Sequence, residues 1–387
     1  MTHPDQSNAL DEVVHLLAEH GFDGMAQAMQ TLLNEAMRLE RSAALGAEPY
    51  QRCEARRGYA NGFKPKTVAS RLGALELQVP QTRGVEFYPS ALERGERSER
   101  ALKLAVAEMY VQGVSTRKVA EITRELCGRE VSSMQVSRAA ESLDAELHSW
   151  RERQLAATPY LILDARYEKI RHGGSVVDCA VLLAIGISPD GKRSVLGVSV
   201  SLSEAEVHWR DFLKSLLERG LHGVRQITSD DHAGLKQARK ACLPGVPWQR
   251  CQFHLMQNAM HYVPKLAMRS EVARDLRAVW DASDRHEAER QLSQLVGKYQ
   301  ATAPDLAAWM ETNVPEGLTV FALPPEHRRR LRTSNLLERL NREIKRRTRV
   351  ATLFPNAASL LRLVTANLQE VSEEWETAKV YLSLETY

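Results

Sequence analysis

The chain has 387 residues, 43% hydrophobic and 26% charged, enough to bury a core and to divide into two or three domains. It contains no apolar run of roughly eighteen residues, and its start, MTHPDQSNALDEVV, lacks a basic stretch leading into an apolar one, so neither a membrane span nor export is expected. Five scattered cysteines fit a reducing compartment, which makes a cytoplasmic protein the expectation. A net charge of +3 says little about partners, yet Arg and Lys gather at 64–71, 94–103, 328–330 and 342–349, local footprints that suit phosphates as well as a solvated face.

In segment 1–50, Val13, Leu16 and Leu17, then Met25, Met29, Leu32, Leu33 and Met37, recur at helical spacing, predicting one or two amphipathic helices. Segment 51–97 changes character. Glycines, basic residues and the alternating run Leu75, Leu77, Val79 predict a small β-containing hairpin ending at Pro80. Arg57, Tyr59, Asn61 and Lys64 interleave basic, aromatic and amide groups there, a mixture suited to DNA backbone contact.

Segment 98–150 reads as three helices. The first, Ala101–Gln112, stops at Gly113; the second, Thr116–Leu126, is capped by Ser115; the third is capped by Ser132 or Ser133 and runs through Val136, Ala139 and Leu143. A helix-turn-helix offers the start of its last helix to the major groove, here Ser133, Gln135, Ser137 and Arg138.

From residue 159 the texture becomes α/β. PYLILDARYEKI, SVVDCAVLLAIGIS and RSVLGVSVSL predict three strands, the last two an antiparallel hairpin across a turn at PDGK. A helix over EAEVHWRDFLKSLLERGL, a strand over VRQITSDD and a helix over HAGLKQARKAC follow. This β-β-β-α-β-α order matches a ribonuclease H-like core with its first strand central. Residues 151–254 form its first part, 255–325 read as an all-α insertion, and 326–387 return as C-terminal helices.

Two acids close apolar strands: Asp164 after LIL and Asp230 after QITS. An acid buried on such a strand costs several kcal/mol unless it is paired or holds a metal. Parallel neighbours would bring both to the carboxyl edge of the sheet, where α/β folds place ligands, and hard carboxylates suit Mg²⁺ or Mn²⁺. A third acid would come from the helix TSNLLERLNREIKRRTR, capped by Thr333 or Ser334, which offers Glu338 and Glu343. Asn341 and Arg342 share the face of Glu338, whereas Glu343 lies among basic residues and reads as a helical ion-pair partner. Three carboxylates can hold two cations about 3.5–4 Å apart for in-line phosphoryl transfer.

LDARYEKIR, ITSDDHAGL, PWQRCQFHLMQN and TSNLLERLNREIKRRT, together with RRGYANGF, resemble the bacterial insertion-sequence transposases of the Mutator type. The resemblance runs over essentially the whole chain. It implies a DDE transposase: a ribonuclease H-like catalytic core interrupted by an all-α insertion, behind a mainly helical DNA-binding region. Asp164, Asp230 and Glu338 then match the catalytic, metal-binding acids. Ala165 and Asp231 depart from the pattern, which has glycine after the first acid and a single acid in the second motif.

The resemblance further implies binding to terminal inverted repeats and target DNA, nicking and strand joining with two Mg²⁺ or Mn²⁺ ions, and a homodimer or larger assembly on DNA at the nucleoid. Arg342, Lys345, Arg346 and Arg349 would hold phosphates beside the acids. Cys251 and His254 match the family's Cys-x-x-His motif. With no second ligand pair in view, zinc is not expected, and a packed or supporting role near the acids is. Trp209 and Trp248 match aromatic positions and read as core. The same residues would fit a nuclease of this fold that does not join strands, or a DNA-binding regulator without catalysis.

Overall fold

The computed structural model describes residues 8–92, 98–128, 130–348 and 353–384, and the chain folds as two units that divide between Ser142 and Leu143. In the first unit, helix α1 (Asn8–His20) leads into α2 (Met25–Leu45). A hairpin of β1 (Tyr59–Ser70) and β2 (Gly73–Arg83) packs on α2. The alternation in β2 is the reason: Leu75 and Leu77 bury against Met37. Gln30 and Asn34 of α2 accept hydrogen bonds from the N–H groups of Glu76 and Gln78 (both 2.8 Å), which occupies the outer edge of β2.

The hairpin does not end at Pro80. A register shift between Ala60 and Phe63, with Gly62 at φ 73°, sets Pro80 opposite Phe63, and pairing continues to Arg83.

Three short helices complete this unit: α3 (Arg100–Val111), α4 (Thr116–Cys127) and α5 (Ser133–Glu141). Ser115 caps α4 by accepting from the Lys118 N–H. Ser132 and Gln135 close a reciprocal capping box on α5. The third helix stops at Glu141. Leu143 belongs instead to the start of α6 (Asp144–Arg151), which sits in the second unit, so the segment 98–150 spans the division.

The second unit is built on a mixed five-stranded sheet in the order β5-β4-β3-β6-β7. Its strands are β3 (Tyr160–His172), β4 (Ser175–Ile187), β5 (Arg193–Ser201), β6 (Gln226–Ser229) and β7 (Trp248–Arg250). β3 and β4 form a long antiparallel hairpin across Gly173 and Gly174, both at positive φ, the backbone a two-residue turn requires. β6 runs parallel to β3 along Tyr160–Ile162, and β7 runs parallel to β6.

Side-chain alternation on β3 separates two faces. Leu161 and Leu163 join Trp209, Phe212 and Leu235 in a core with α7 (Glu206–Glu218) and α8 (Ala233–Cys242). Asp164, Arg166 and Glu168 point to the other face, where α14 and α15 pack.

A second core is mainly helical and also takes in Tyr160 of β3 and Ile187 of β4. It joins α9 (Gln252–His261), α10 (Arg269–Trp280), α11 (Arg285–Tyr299) and α12 (Pro304–Asn313). α13 (Pro325–Leu331), α14 (Asn335–Thr348) and α15 (Ala357–Thr377) follow. Among the described residues no helix is long and apolar enough to cross a membrane.

Candidate active site

The parallel strands β3, β6 and β7 bring three chain segments to one edge. Asp230 follows the last residue of β6, and Cys251 follows the last residue of β7. Asp164 is not at a strand end. β3 continues through it to His172, but pairing with β6 stops at Ile162 because β6 is only four residues long, so this side of β3 is open beyond that point. The carboxyl edge is thus defined by where the pairing stops rather than by where the strand stops.

α14 lies on this edge because Leu336, Leu337, Leu340 and Ile344 form a buried stripe on one side of it. Asn341 and Thr348, which flank this stripe, face β3. Asn341 Nδ2 donates to Asp164 Oδ2 at 2.9 Å. Arg166 donates to the Asn341 carbonyl and to Glu168, and the Thr348 hydroxyl donates to Glu168 Oε1 at 3.1 Å. The residues Asp164, Arg166 and Glu168, spaced by two on one strand face, therefore fix α14 along its length. Arg166 and Glu168 were not singled out from the sequence; the period-two pattern in LDARYEKIR is the signal that would have found them.

The electrostatics of the crevice follow from burial. Burial pushes the Asp164 carboxyl up to about 6; the negative charges of Asp230 and Glu204 add to this, and His254 and the Ala165 N–H oppose it. Burial likewise pushes Glu338 above the ordinary carboxylate range, against the pull of His254 and Arg342. Burial would lower His254, but its interaction with Cys251 and the charges of Asp230 and Asp164 outweigh that and raise it to about 9.

His254 is the common neighbour of the three acids, with its Nδ1 3.8 Å from Asp230 Oδ1. Even so, among the described residues no three His, Cys, Asp or Glu side chains close around one point as a metal would require. Several polar atoms of the crevice are buried without a hydrogen-bond partner: Glu338 Oε1, Asn341 Oδ1 and His254 Nδ1. Desolvated acids with an unpartnered oxygen are the donor set a hard divalent cation takes, so the residues present fit Mg²⁺ or Mn²⁺.

The alternative acids have other partners. Asp231 pairs with Lys236 (2.7 Å) and Arg250 (3.0 Å), and both cations also reach Glu316, so it belongs to a network joining the end of β6 to the helical insertion. Glu343 pairs with Arg346 (2.6 Å) and Arg347 (3.3 Å), and the Arg346 hydrogen bond holds it below the usual carboxylate range. Neither the Asp231 network nor the neighbouring Glu204, whose carboxylate lies near His232 and the Tyr167 hydroxyl, was visible as a pattern in the sequence.

Cys251 is fully buried, and its sulfur accepts from both the N–H and the hydroxyl of Ser334. The Ser334 hydroxyl thus donates to Cys251 at the start of α14. Trp209 is fully buried in the core beneath the sheet. Trp248 donates its indole N–H to Ser229 Oγ at 2.9 Å, and the Lys236 ammonium and Arg239 guanidinium lie over its ring. Arg342, Lys345 and Arg346 are exposed on α14; Arg349 falls outside the described residues.

In the first unit, Arg57, Tyr59, Asn61 and Lys64 are exposed, with Asn61 at the bulge and the Arg56 guanidinium over the Tyr59 ring. Ser133, Gln135 and Arg138 are exposed on α5, although the Gln135 side-chain oxygen accepts from the Ser132 N–H, which leaves its amide nitrogen for an outside partner.

The fold and the crevice define an α/β protein with acids gathered at the carboxyl edge of its sheet beneath a basic helix. The sequence model described as "Transposase, Mutator family" matches residues 1–378, and the chain belongs to that family. It is 58% identical to the transposase for insertion sequence element IS406 of Burkholderia multivorans over 98% of each chain. It is 43% identical to the ISRM5 transposase of Rhizobium meliloti, covering 94% of this chain and 91% of that one. Against the IS256 transposase of transposon Tn4001 in Staphylococcus aureus the identity is 35% over 90% of each.

Proposed function

We propose that this transposase recognises the terminal inverted repeats of its own insertion sequence, nicks DNA to free a 3′-hydroxyl, and joins that end to target DNA. Its second unit would be a ribonuclease H-like core of the DDE type, a reading supported by the strand order and by the helical insertion between β7 and α14. Asp164, Asp230 and Glu338 would hold two divalent cations. The observation that carries this is the Glu338 oxygen, buried without a partner on the helix whose Asn341 holds the desolvated Asp164.

When bound, two Mg²⁺ or Mn²⁺ ions activate the attacking oxygen and stabilise the leaving one. The chain's own residues do the rest. Asn341 orients the Asp164 carboxylate, and His254 sits among the three acids and offsets their mutual repulsion. Arg342, Lys345 and Arg346, exposed along the same helix, supply phosphate contacts. The hairpin residues Arg57, Tyr59, Asn61 and Lys64 and the α5 residues Ser133, Gln135 and Arg138 serve end recognition. Because two ends must be processed together, a dimer or larger assembly on DNA at the nucleoid belongs to this reading.

The test is incubation of the protein with element-end DNA and Mg²⁺, resolving nicked from joined strands. Asp164→Asn is expected to retain end binding and lose both products; cleavage retained by that variant contradicts the proposal.

A further inference from the structure

Cys251 has no solvent-exposed surface and plays no part in the chemistry proposed above, yet it touches both segments that present acids to the crevice from beyond β3. On one side, its N–H donates to the Ser229 carbonyl at 2.8 Å, one residue before Asp230. Its sulfur also interacts electrostatically with His254, which faces Asp230. On the other side, its sulfur accepts from the Ser334 N–H at 3.3 Å and from the Ser334 hydroxyl at 3.2 Å.

Ser334 opens the turn on which Glu338 rides, since its carbonyl accepts from the Glu338 N–H at 3.1 Å. Neighbouring links hold the chain just ahead: the Gln252 N–H donates to the Arg332 carbonyl (3.0 Å), and the Thr228 hydroxyl donates to the Leu331 carbonyl (2.8 Å). The Cys251 sulfur reaches the first turn of the helix itself. A large, polarisable acceptor that takes two hydrogen bonds at sulfur distances spans a gap that a smaller side chain would leave open.

We propose that Cys251 is a positioning residue that sets the spacing between Asp230 and Glu338. The proposal rests on the reading of those acids as cation ligands. A side chain that orients ligands without touching the ion is expected to govern affinity for the ion more than affinity for the substrate.

The test uses the full-length protein and its Cys251→Ala, Cys251→Ser and Ser334→Ala variants. Three quantities are measured: Mn²⁺ affinity by titration calorimetry without DNA, the Mg²⁺ concentration for half-maximal nicking, and affinity for end DNA. Cys251→Ala is expected to weaken Mn²⁺ binding by about 10- to 100-fold and raise the half-maximal Mg²⁺ concentration, with end binding unchanged. Cys251→Ser, which keeps an acceptor, recovers part of the loss, and combining Cys251→Ala with Ser334→Ala adds little, because both act on one contact.

If Cys251→Ala binds Mn²⁺ as the unaltered protein does, whatever its melting temperature, the positioning role is overturned and Cys251 is a core residue. Should Cys251→Ala fail to fold, Ser334→Ala, which removes one donor and keeps the sulfur, is read on the same scale: unmoved Mn²⁺ affinity overturns the role. Nicking by the unaltered protein that needs no divalent cation would instead overturn the acid assignment, and this proposal with it.

Discussion

The hairpin of the first unit and the crevice of the second hold polar side chains under opposite conditions. Along β1, Tyr59, Asn61 and Lys64 stand in solvent, and the neighbouring Arg57 does too. In the crevice, Glu338, Asn341 and His254 have atoms withdrawn from water with no hydrogen-bond partner, and the Asp164 carboxyl is desolvated. Groups in water act weakly and one at a time, whereas groups in a dry crevice depend on their neighbours. Losses at the hairpin should therefore be small, additive and sensitive to salt; losses in the crevice should be large and coupled.

The sharpest contrast is between two adjacent acids. Asp230→Asn is expected to lower the nicking rate by about 10³-fold or more, as loss of a cation ligand removes several kcal/mol of transition-state stabilisation. Asp231→Asn should keep most of the rate per folded molecule and lose about 1–3 kcal/mol of stability, because it leaves the nearly buried Arg250 with less compensation. Denaturant melts beside single-turnover rates separate the two; equal behaviour of both variants would erase the distinction.

Next in size come the residues that orient the acids. Asn341→Ala or Arg166→Ala should cost about 10- to 100-fold in rate with little change in end binding, read as a fall in kcat at unchanged KM. A fall confined to KM would place these residues with the DNA contacts instead.

Acidity tests the crevice from another side. Because burial raises Asp164 to about 6, ionising it opposes folding of the metal-free protein. The stability that comes with its protonated form is full below the ordinary carboxylate range and is lost as pH rises through about 6. A cation needs the ionised form, so the rise in melting temperature on adding Mg²⁺ should be large at pH 8 and shrink through pH 6 toward pH 5. A rise that does not vary with pH would mean that the ion binds elsewhere.

The smallest effects belong to the hairpin. Arg57→Ala or Lys64→Ala should weaken DNA binding modestly and equally for all sequences, each lowering the slope of log affinity against log salt by about one. Anisotropy titrations at several salt concentrations check this. A sequence-selective loss would assign base reading to the hairpin.

Much of this was legible because local signals sufficed. The Ser115 and Ser132 caps, the strand alternation at Leu75 and Leu77, and the PDGK turn between β4 and β5 each rest on chemistry within a few residues. What escaped depends on partners far along the chain. β7 carries Trp248, Gln249 and Arg250, a poor strand pattern; its Gln249 is buried because the Gly317 carbonyl and the Val320 N–H bond it, and Arg250 because Asp231 and Glu316 neutralise it. The length of β3 past Asp164 was hidden for the same reason, since its continuation is set by the partner strand β4. Asp231 and Glu343 stand out as candidates in the sequence until their ion-pair partners are in view.

The proposed cation site stands on Glu338 as the acid of α14 that completes the set. The direct measurement is the yield of nicked and joined end DNA in Mg²⁺ for Glu338→Gln and Glu343→Gln, with end binding measured in parallel. Glu338→Gln is predicted to lose both products while binding ends normally, and Glu343→Gln to keep them. Products retained by Glu338→Gln, or lost from Glu343→Gln with binding intact, would contradict it.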